Sequence, residues 1–388
     1  MTRYLLYSHD GQGLGHARRN LAIARALVTL DPEAAVLLIT SVEELAQSGL
    51  PPRVELLRLP ALRKVANESY ESRRLPLDSR ETRALRSSLM LAAVKCFRPH
   101  VVLADKHPFG ASGEFRHALA AAKRFGARAA LGLRDILDAP ATVRREWQPH
   151  GLPGLIADHY DEVFIYGQRE VYDAVLEYDF PPSLATRSHY VGYVINAPTP
   201  VVRRADGPPL VVASVGGGED GLQLLEAFLH AAADAPWRSL AVTGPHCPPA
   251  HSARLAALAA DAGVEWHAFV PELEHRLASA NAVVCMGGYN TLGEALAAGA
   301  PVVCVPRVAP RQEQLIRARA FADLGLLRLL TPDALTPDRL RGELAAALAA
   351  PPVPRPLDFD GANNAAARLH ALAGVACAHR NQPELVAA

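Results

Sequence analysis

A surplus of charge of either sign is missing from this 388-residue chain, in which 40 Lys+Arg against 40 Asp+Glu leave a formal net charge of +0. That balance removes the global positive field on which nonspecific nucleic-acid binding depends, so no nucleic acid is expected as a partner. Cysteine is scarce as well. Cys96, Cys247, Cys285, Cys304 and Cys377 are odd in number, far apart and without a C-x-x-C pair, which argues against a disulfide scaffold and a zinc ribbon. No run approaches the ~18 apolar residues of a membrane span, and the apolar stretch near Met1 is too short for a signal peptide. The expected compartment is the cytoplasm, with peripheral membrane contact left open. Lysine is used little and alanine and arginine heavily, a bias that a GC-rich bacterial genome produces as readily as any physical need.

The chain does have enough apolar residues to build cores: 50% are hydrophobic and 21% charged, as in ordinary globular proteins. Cores stop growing beyond roughly 250–300 residues, so two domains are expected. Short apolar runs at Tyr4–Tyr7, Val36–Ile39, Val54–Leu57, Val101–Ala104, Ala129–Leu133, Val163–Tyr166 and Tyr190–Val194 alternate with stretches of helical period at Ala17–Leu30, Leu85–Cys96 and Glu114–Arg124. This is the rhythm of a parallel sheet covered by helices. A polar, proline-punctuated segment then reads as a linker. A second series follows, with strands expected at Leu210–Ser214, Leu240–Val242, Val264–His267, Ala282–Cys285 and Pro301–Val305. The expected organisation is α/β: a Rossmann-like domain over 1–195, a linker at 196–209, a second Rossmann-like domain over 210–356, and a C-terminal helix in 357–388 that packs back across the junction. Ligands of such sheets bind beyond the carboxyl ends of the strands.

After the first strand comes Gly11-Gln12-Gly13-Leu14-Gly15-His16-Ala17-Arg18-Arg19. Glycines spaced by two let the backbone approach a ligand, and the following helix start favours an anion. A dinucleotide fingerprint would need a further glycine where His16 or Arg18 stands and an acid where Thr40 and Ser41 stand. An imidazole at that place suits a general base, because its ordinary pKa lies near neutrality. It equally suits a packed or capping residue. Asp105 ends the strand Val101–Ala104 and would stand at the same sheet edge, where a carboxylate can fix the tautomer of a histidine. Pairing with a lysine or capping a helix are its plainer roles.

In the second half, Ala282–Cys285 runs through Met286-Gly287-Gly288 into Tyr289-Asn290-Thr291-Leu292-Gly293-Glu294 and on to the strand Pro301–Val305. Gly287 and Gly288 admit phosphate oxygens close to backbone N–H groups, and Glu294 stands one turn into the helix, where it could accept from two ribose hydroxyls.

This stretch, with Arg311-Gln312-Glu313-Gln314 beyond it, resembles the C-terminal half of GT-B glycosyltransferases, especially the MurG-like family 28 and the UDP-glucuronosyltransferases. The resemblance spreads over most of the chain. Gly216-Gly217-Gly218-Glu219-Asp220-Gly221 is similar to the diphosphate loop, and His267-Ala268-Phe269-Val270-Pro271 to the strand end that meets the nucleobase. Gly15-His16-Ala17-Arg18-Arg19, Asp105-Lys106-His107-Pro108-Phe109-Gly110 and Leu131-Gly132-Leu133-Arg134-Asp135-Ile136-Leu137-Asp138 are more similar still to a bacterial group of predicted glycosyltransferases.

The resemblance implies the GT-B fold, two facing Rossmann-like domains with the nucleotide-sugar site in the cleft between them. It implies metal-independent, inverting transfer of a hexose or amino-hexose from a nucleotide-diphosphate sugar to an acceptor hydroxyl. No cofactor is implied, since the nucleotide sugar is a co-substrate. His16 becomes the base and Asp105 its partner. Gly15, Gly216, Gly217, Gly218, Gly287, Gly288, Tyr289, Asn290 and Thr291 line the phosphates, Phe269 and Val270 the base, Glu294 the ribose, and Glu313 with Gln314 the sugar. Arg18, Arg19, Lys106, Arg134, Arg307 and Arg311 are expected to meet acceptor or phosphate. The acceptor is a small molecule or glycan, a natural product or an anionic compound among them. Glu219 and Asp220 near a diphosphate would repel it unless they point away, for example as caps of the next helix.

The other readings are a hydrolysing sugar-nucleotide 2-epimerase on the same fold and a noncatalytic nucleotide-sugar-binding protein. Asp358-Phe359-Asp360 matches a metal-holding D-x-D, but it directly precedes a helical pattern and reads as a cap. His246, Cys247 and His251 lack metal-ligand spacing. Arg63, Lys64, Arg73, Arg74, Arg80, Arg83 and Arg86 form a basic stretch, read either as a solvated face or as the contact for an acceptor carrying phosphate or carboxylate.

Overall fold

A computed structural model describes residues 1–9, 15–43, 45, 49–66, 69–196, 207–350 and 357–380. Most of the first glycine loop, most of the linker and the proline-rich 351–356 lie outside these residues. The chain divides into two compact units, one of Met1–Asp135, Val143–Val194 and Asp360–Ala388, the other of Ile136–Thr142 and Ile195–Phe359.

The first unit begins with β1 (Arg3–Ser8), α1 (Gly15–Leu30), β2 (Ala35–Thr40), β3 (Val54–Arg58), β4 (Leu62–Ala66) and β5 (Ser69–Ser72). It continues through α2 (Ser79–Phe97), β6 (Val101–Asp105), α3 (Arg116–Arg124), β7 (Arg128–Arg134), α4 (Pro140–Trp147), α5 (Leu152–His159), β8 (Glu162–Tyr166), α6 (Ala174–Glu177), α7 (Pro182–Ala185) and β9 (Ser188–Tyr190). Among the described residues, seven parallel strands line up as β3-β2-β1-β6-β7-β8-β9. Tyr4, Leu5, Leu6 and Tyr7 of β1 and all of β6 are buried, as expected of apolar runs covered on both faces. Strand order reverses between β1 and β6, with Ser8 opposite Asp105 at their carboxyl ends. That reversal is the place where open parallel sheets bind ligands.

Helix α2 starts earlier than its apolar period suggests. Asp78 accepts from the Glu81 amide while the Glu81 side chain accepts from the Asp78 amide, a reciprocal cap that sets the start at Ser79. Left-handed Arg98, followed by Pro99, ends it. Arg86 of this helix is fully buried. Its Nε and Nη2 each donate at 2.6 Å to the Glu114 carboxylate, which also accepts from the Tyr7 hydroxyl at 2.6 Å. Its Nη1 donates to the Pro60 carbonyl at 2.6 Å and to Ser41 Oγ at 3.0 Å. The basic stretch also contains an antiparallel hairpin, β4–β5, which charged residues disguise in the sequence.

The second unit runs β10 (Leu210–Ser214), α8 (Leu222–Ala232), β11 (Arg238–Val242), α9 (Pro249–Asp261), β12 (Glu265–His267), α10 (Leu273–Ser279), β13 (Ala282–Cys285), α11 (Tyr289–Ala297), β14 (Val302–Cys304), α12 (Glu313–Asp323), β15 (Arg328–Leu329) and α13 (Pro337–Ala349). Its described strands are ordered β12-β11-β10-β13-β14-β15, all parallel, and reverse between β10 and β13. Phe228 of α8 and Leu340 and Leu344 of α13 fill the core against Val211, Ala213 and Val284. The final helix α14 (Gly361–Arg380) belongs to the first unit. Asn364 Nδ2 donates to the Val191 carbonyl at 3.0 Å, and Arg368 Nε donates to Glu162 at 2.8 Å. No helix among the described residues is long and apolar enough to cross a membrane.

Removing one member of a buried ion pair strands the other. Arg86→Met is expected to lower stability by about 3–5 kcal/mol in urea unfolding, with Arg86→Met/Glu114→Leu recovering a large part of that loss. Equal stability of Arg86→Met and the native chain would contradict this account of the network.

Candidate active site

In the first unit the reversal of strand order brings His16 and Asp105 together across 89 positions of sequence. His16 Nδ1 lies 3.1 Å from Asp105 Oδ1. Asp105, the last residue of β6, is fully buried, whereas the His16 side chain keeps 15% of its surface exposed. Arg19 is the third member. Three residues after His16 on α1, it shares that helix face, and its Nη2 donates to both Asp105 oxygens, at 3.2 and 3.0 Å, and meets His16 Nδ1. Its guanidinium lies 5.6 Å from the centre of the Tyr166 ring. Arg19 was expected to face acceptor or phosphate; instead it is buried and engaged by Asp105, which needs a cation to offset its own burial.

Burial, and next the cations Arg19, Lys106 and Arg134, hold the His16 imidazole well below its usual range. Burial pushes the Asp105 carboxyl up, with Arg19 opposing. His16 is therefore neutral at pH 7 and able to accept a proton. Lys106 follows β6 directly and Arg134 ends β7, both half-buried, as are Gly15 and Arg18 at the start of α1. The buried His9 adds a ring contact 5.4 Å from His16 and another 4.2 Å from His107, a histidine cluster that the sequence pattern did not single out.

In the second unit the loop from Gly216 to Gly221 follows β10. Gly216, Gly218 and Gly221 have φ of 75°, 90° and 95°. A Cβ at Gly218 would stand 2.5 Å from the Thr243 carbonyl, so glycine is required there. The Gly217 carbonyl accepts from the His246 amide at 2.8 Å. Across the strand reversal, Gly287, at φ 77°, follows β13, and Gly288 is the N-cap of α11 with no side chain capping it. Helix α8 likewise starts after Gly221 without a side-chain cap. Both helix starts thus rely on main-chain groups, the arrangement that favours an anion.

Neither Glu219 nor Asp220 takes the cap of α8, one of the ways open to them of pointing away from a diphosphate. The cap position belongs to Gly221, and Asp220 instead accepts from Arg307 Nη1 at 2.8 Å. Arg307 Nη2 donates to Glu313 at 2.7 Å, and the Arg307 amide donates to Gln314 Oε1 at 3.2 Å. Arg311 donates to Asp138 at 2.9 Å, and the Gln312 amide donates to the same carboxylate at 2.8 Å. Arg307 and Arg311, expected at a phosphate, are both held by acids. Glu313 is buried, with its Oε2 unpaired, and Gln314 opens α12 beside it.

The Tyr289 ring is buried, with the Arg317 guanidinium 5.6 Å from its centre. Arg317, which sequence reasoning passed over, donates to the Gly287 carbonyl at 3.0 Å and fixes that turn. Asn290 and Thr291 lie in the first turn of α11. Glu294, four residues after Asn290, is 1% exposed, more enclosed than a ligand-facing acid was expected to be. Phe269 is 41% exposed after β12, beside half-buried Val270. Among the described residues no group of three or more His, Cys, Asp or Glu is arranged to hold a metal ion.

Residues 216–366 match the glycosyltransferase family 28 C-terminal domain. A relative from Methylorubrum extorquens (strain PA1), "UDP-N-acetylglucosamine--N-acetylmuramyl-(pentapeptide) pyrophosphoryl-undecaprenol N-acetylglucosamine transferase", is 38% identical over 90 residues, 23% of this chain and 24% of that protein. The zeaxanthin glucosyltransferase of Pseudescherichia vulneris is 33% identical over 168 residues, 42% of this chain and 39% of that one. The chain therefore matches less than half the length of these relatives. The crystal structure of Acinetobacter baumannii MurG superposes with a TM-score of 0.57 at 16% identity, covering 97% of this chain and 100% of that one, a likeness of fold.

If Arg19 holds His16 neutral, its removal must raise the His16 pKa. In Arg19→Met, an NMR titration of the His16 ring is expected to show its midpoint moved to higher pH, and an unmoved midpoint would contradict the arrangement. The structure and the comparisons agree on kinship: the chain has the GT-B fold of the MurG structure, and its residues 216–366 match the glycosyltransferase family 28 C-terminal domain.

Proposed function

We propose that the protein transfers a hexose or amino-hexose from a nucleotide-diphosphate sugar to an acceptor hydroxyl, with inversion and without a metal ion. The observation that carries this reading is the 3.1 Å approach of His16 Nδ1 to Asp105 at the strand reversal of the first unit, in a chain whose second unit carries the family 28 domain. In the tautomer whose Nδ1–H donates to Asp105, with the Arg19 Nη2 hydrogens given to the carboxylate rather than to the ring, Nε2 is bare and takes the acceptor proton as the hydroxyl oxygen attacks the anomeric carbon. The Asp105 carboxylate then offsets the positive charge that develops on the ring. The bond from the anomeric carbon to the diphosphate breaks in the same displacement, so no enzyme nucleophile is needed. The leaving diphosphate is received by main-chain donors at the uncapped starts of α8 and α11, which supply the stabilisation a metal would otherwise give. Glu294 is assigned to the ribose, Phe269 and Val270 to the base, and Glu313 and Gln314 to the sugar.

General-base catalysis contributes ~10²–10⁴-fold, so His16→Ala is expected to lose turnover on that scale with donor affinity nearly unchanged. Retained turnover would remove the base assignment. Glu294→Gln keeps the buried volume but loses the charge, and calorimetry is expected to show donor binding weakened about tenfold. Unchanged affinity would remove Glu294 from the ribose. Activity should survive EDTA; loss in EDTA that is restored by magnesium or manganese would overturn the metal-free reading. A panel of sugar nucleotides also separates transfer from epimerisation and from binding alone, because a ligand selective for the native state raises its melting temperature.

A further inference from the structure

The basic stretch that the transfer reaction leaves unused is sorted by the structure into two groups. Arg63 is paired with Glu71, Arg74 with Glu43, and Arg86 with Glu114. Arg80 and Arg83 stand apart, with no hydrogen bond or ion pair among the described residues. Both line a cavity of ≈ 180 Å³ in the first unit, together with Ser79, Leu62, Tyr70, Ala111, Ser112 and Glu114.

The charge of this cavity follows from its lining. Glu114 is the one acid there, and both of its oxygens accept from the buried Arg86 at 2.6 Å, so its charge is already balanced. Arg80 and Arg83 remain, three residues apart on one face of α2, and leave the cavity with two uncompensated positive charges. The hydroxyl residues Ser79, Tyr70 and Ser112 surround them. Ser112 is held at φ 50°, ψ 30° in the short turn after Gly110, so a strained backbone presents it. The start of α2 adds little of its own, because Asp78 and Glu81 already occupy its cap.

Size and donor number narrow the ligand. The volume is below the ~300 Å³ at which whole small molecules are usually enclosed, so the cavity suits a single group of a larger compound. Two guanidinium groups with the hydroxyls of Ser79 and Ser112 offer more donors than the two oxygens of a carboxylate can use, and they match a tetrahedral group with three terminal oxygens. We propose that this cavity binds a phosphate- or sulfate-type group carried by the acceptor, with Arg80 and Arg83 as its cationic ligands. The link to the acceptor rests on reading the first unit as the acceptor-binding half of a glycosyltransferase; the anion site itself does not.

The test uses the full chain saturated with UDP, so that the phosphate-binding loops of the second unit are occupied and UDP affinity is measured independently. Phenyl phosphate, phenyl sulfate and benzoate are titrated at constant ionic strength by calorimetry. Phenyl phosphate or phenyl sulfate should bind more tightly than benzoate, and Arg80→Gln/Arg83→Gln should weaken that binding about ten- to hundredfold while UDP affinity stays the same. Arg80→Lys/Arg83→Lys, which keeps the charge but not the fork, should fall between. No binding to the native chain in the millimolar range, equal binding by the Gln variant, or a preference for benzoate would each overturn the proposal. Failure of UDP, dTDP and GDP alike to bind while phenyl phosphate still depends on Arg80 and Arg83 would overturn the glycosyltransferase reading and leave the anion site standing.

Discussion

A carboxylate cannot be buried at the end of a parallel strand without partners, and Asp105 is such a carboxylate at 0% exposure. The start of α1 meets that need twice. Arg19 brings a full charge to both carboxylate oxygens, and His16, one turn earlier on the same face, brings an imidazole. One demand, the solvation of Asp105, therefore fixes the rotation of α1 and the placement of its histidine. It also sets the protonation state of that ring. Asp105 already carries a cation, so a second positive charge on His16 gains less there, and burial disfavours it further. The ring is thus a neutral imidazole beside a carboxylate already engaged by an arginine.

The diphosphate site proposed in the second unit rests on different means. Its obvious cations are engaged by acids: Arg307 bridges Asp220 and Glu313, and Arg311 holds Asp138. What remains toward a diphosphate is main chain, shaped by glycines at positive φ and by Arg317, which grips the Gly287 carbonyl from inside. Amides aimed in advance need no reorganisation when charge develops on a leaving group, which is where such donors are most effective. The acids that a composition-based view would count against phosphate binding are thus the partners of Arg307 and Arg311, three carboxylates to two guanidinium groups.

Much of this was legible in the sequence because it rests on local signals. Apolar runs of four or five residues marked the central strands, and the glycines after β10 and β13 marked the turns that follow them. The proximity of His16 and Asp105 could be anticipated, since both follow parallel strands and such strand ends share an edge. The partners of charged groups were not legible. Nothing in the spacing of Arg19, Asp220, Arg307 or Arg311 shows which will be buried or which acid each will meet, because those pairings join segments far apart in sequence. The β4–β5 hairpin was hidden for a related reason: its charged side chains break the apolar alternation that reveals a strand. The Asp78–Glu81 cap was a readable local signal that the apolar period alone passes over.

The account stands on a single displacement driven by a neutral His16, and the stereochemistry of the product tests that most directly. With an α-linked nucleotide sugar accepted by the protein, the ¹H NMR coupling of the anomeric proton in the first product formed is expected to be that of the β anomer. A product retaining the α configuration would require a different mechanism and would contradict the role assigned to His16 and Asp105.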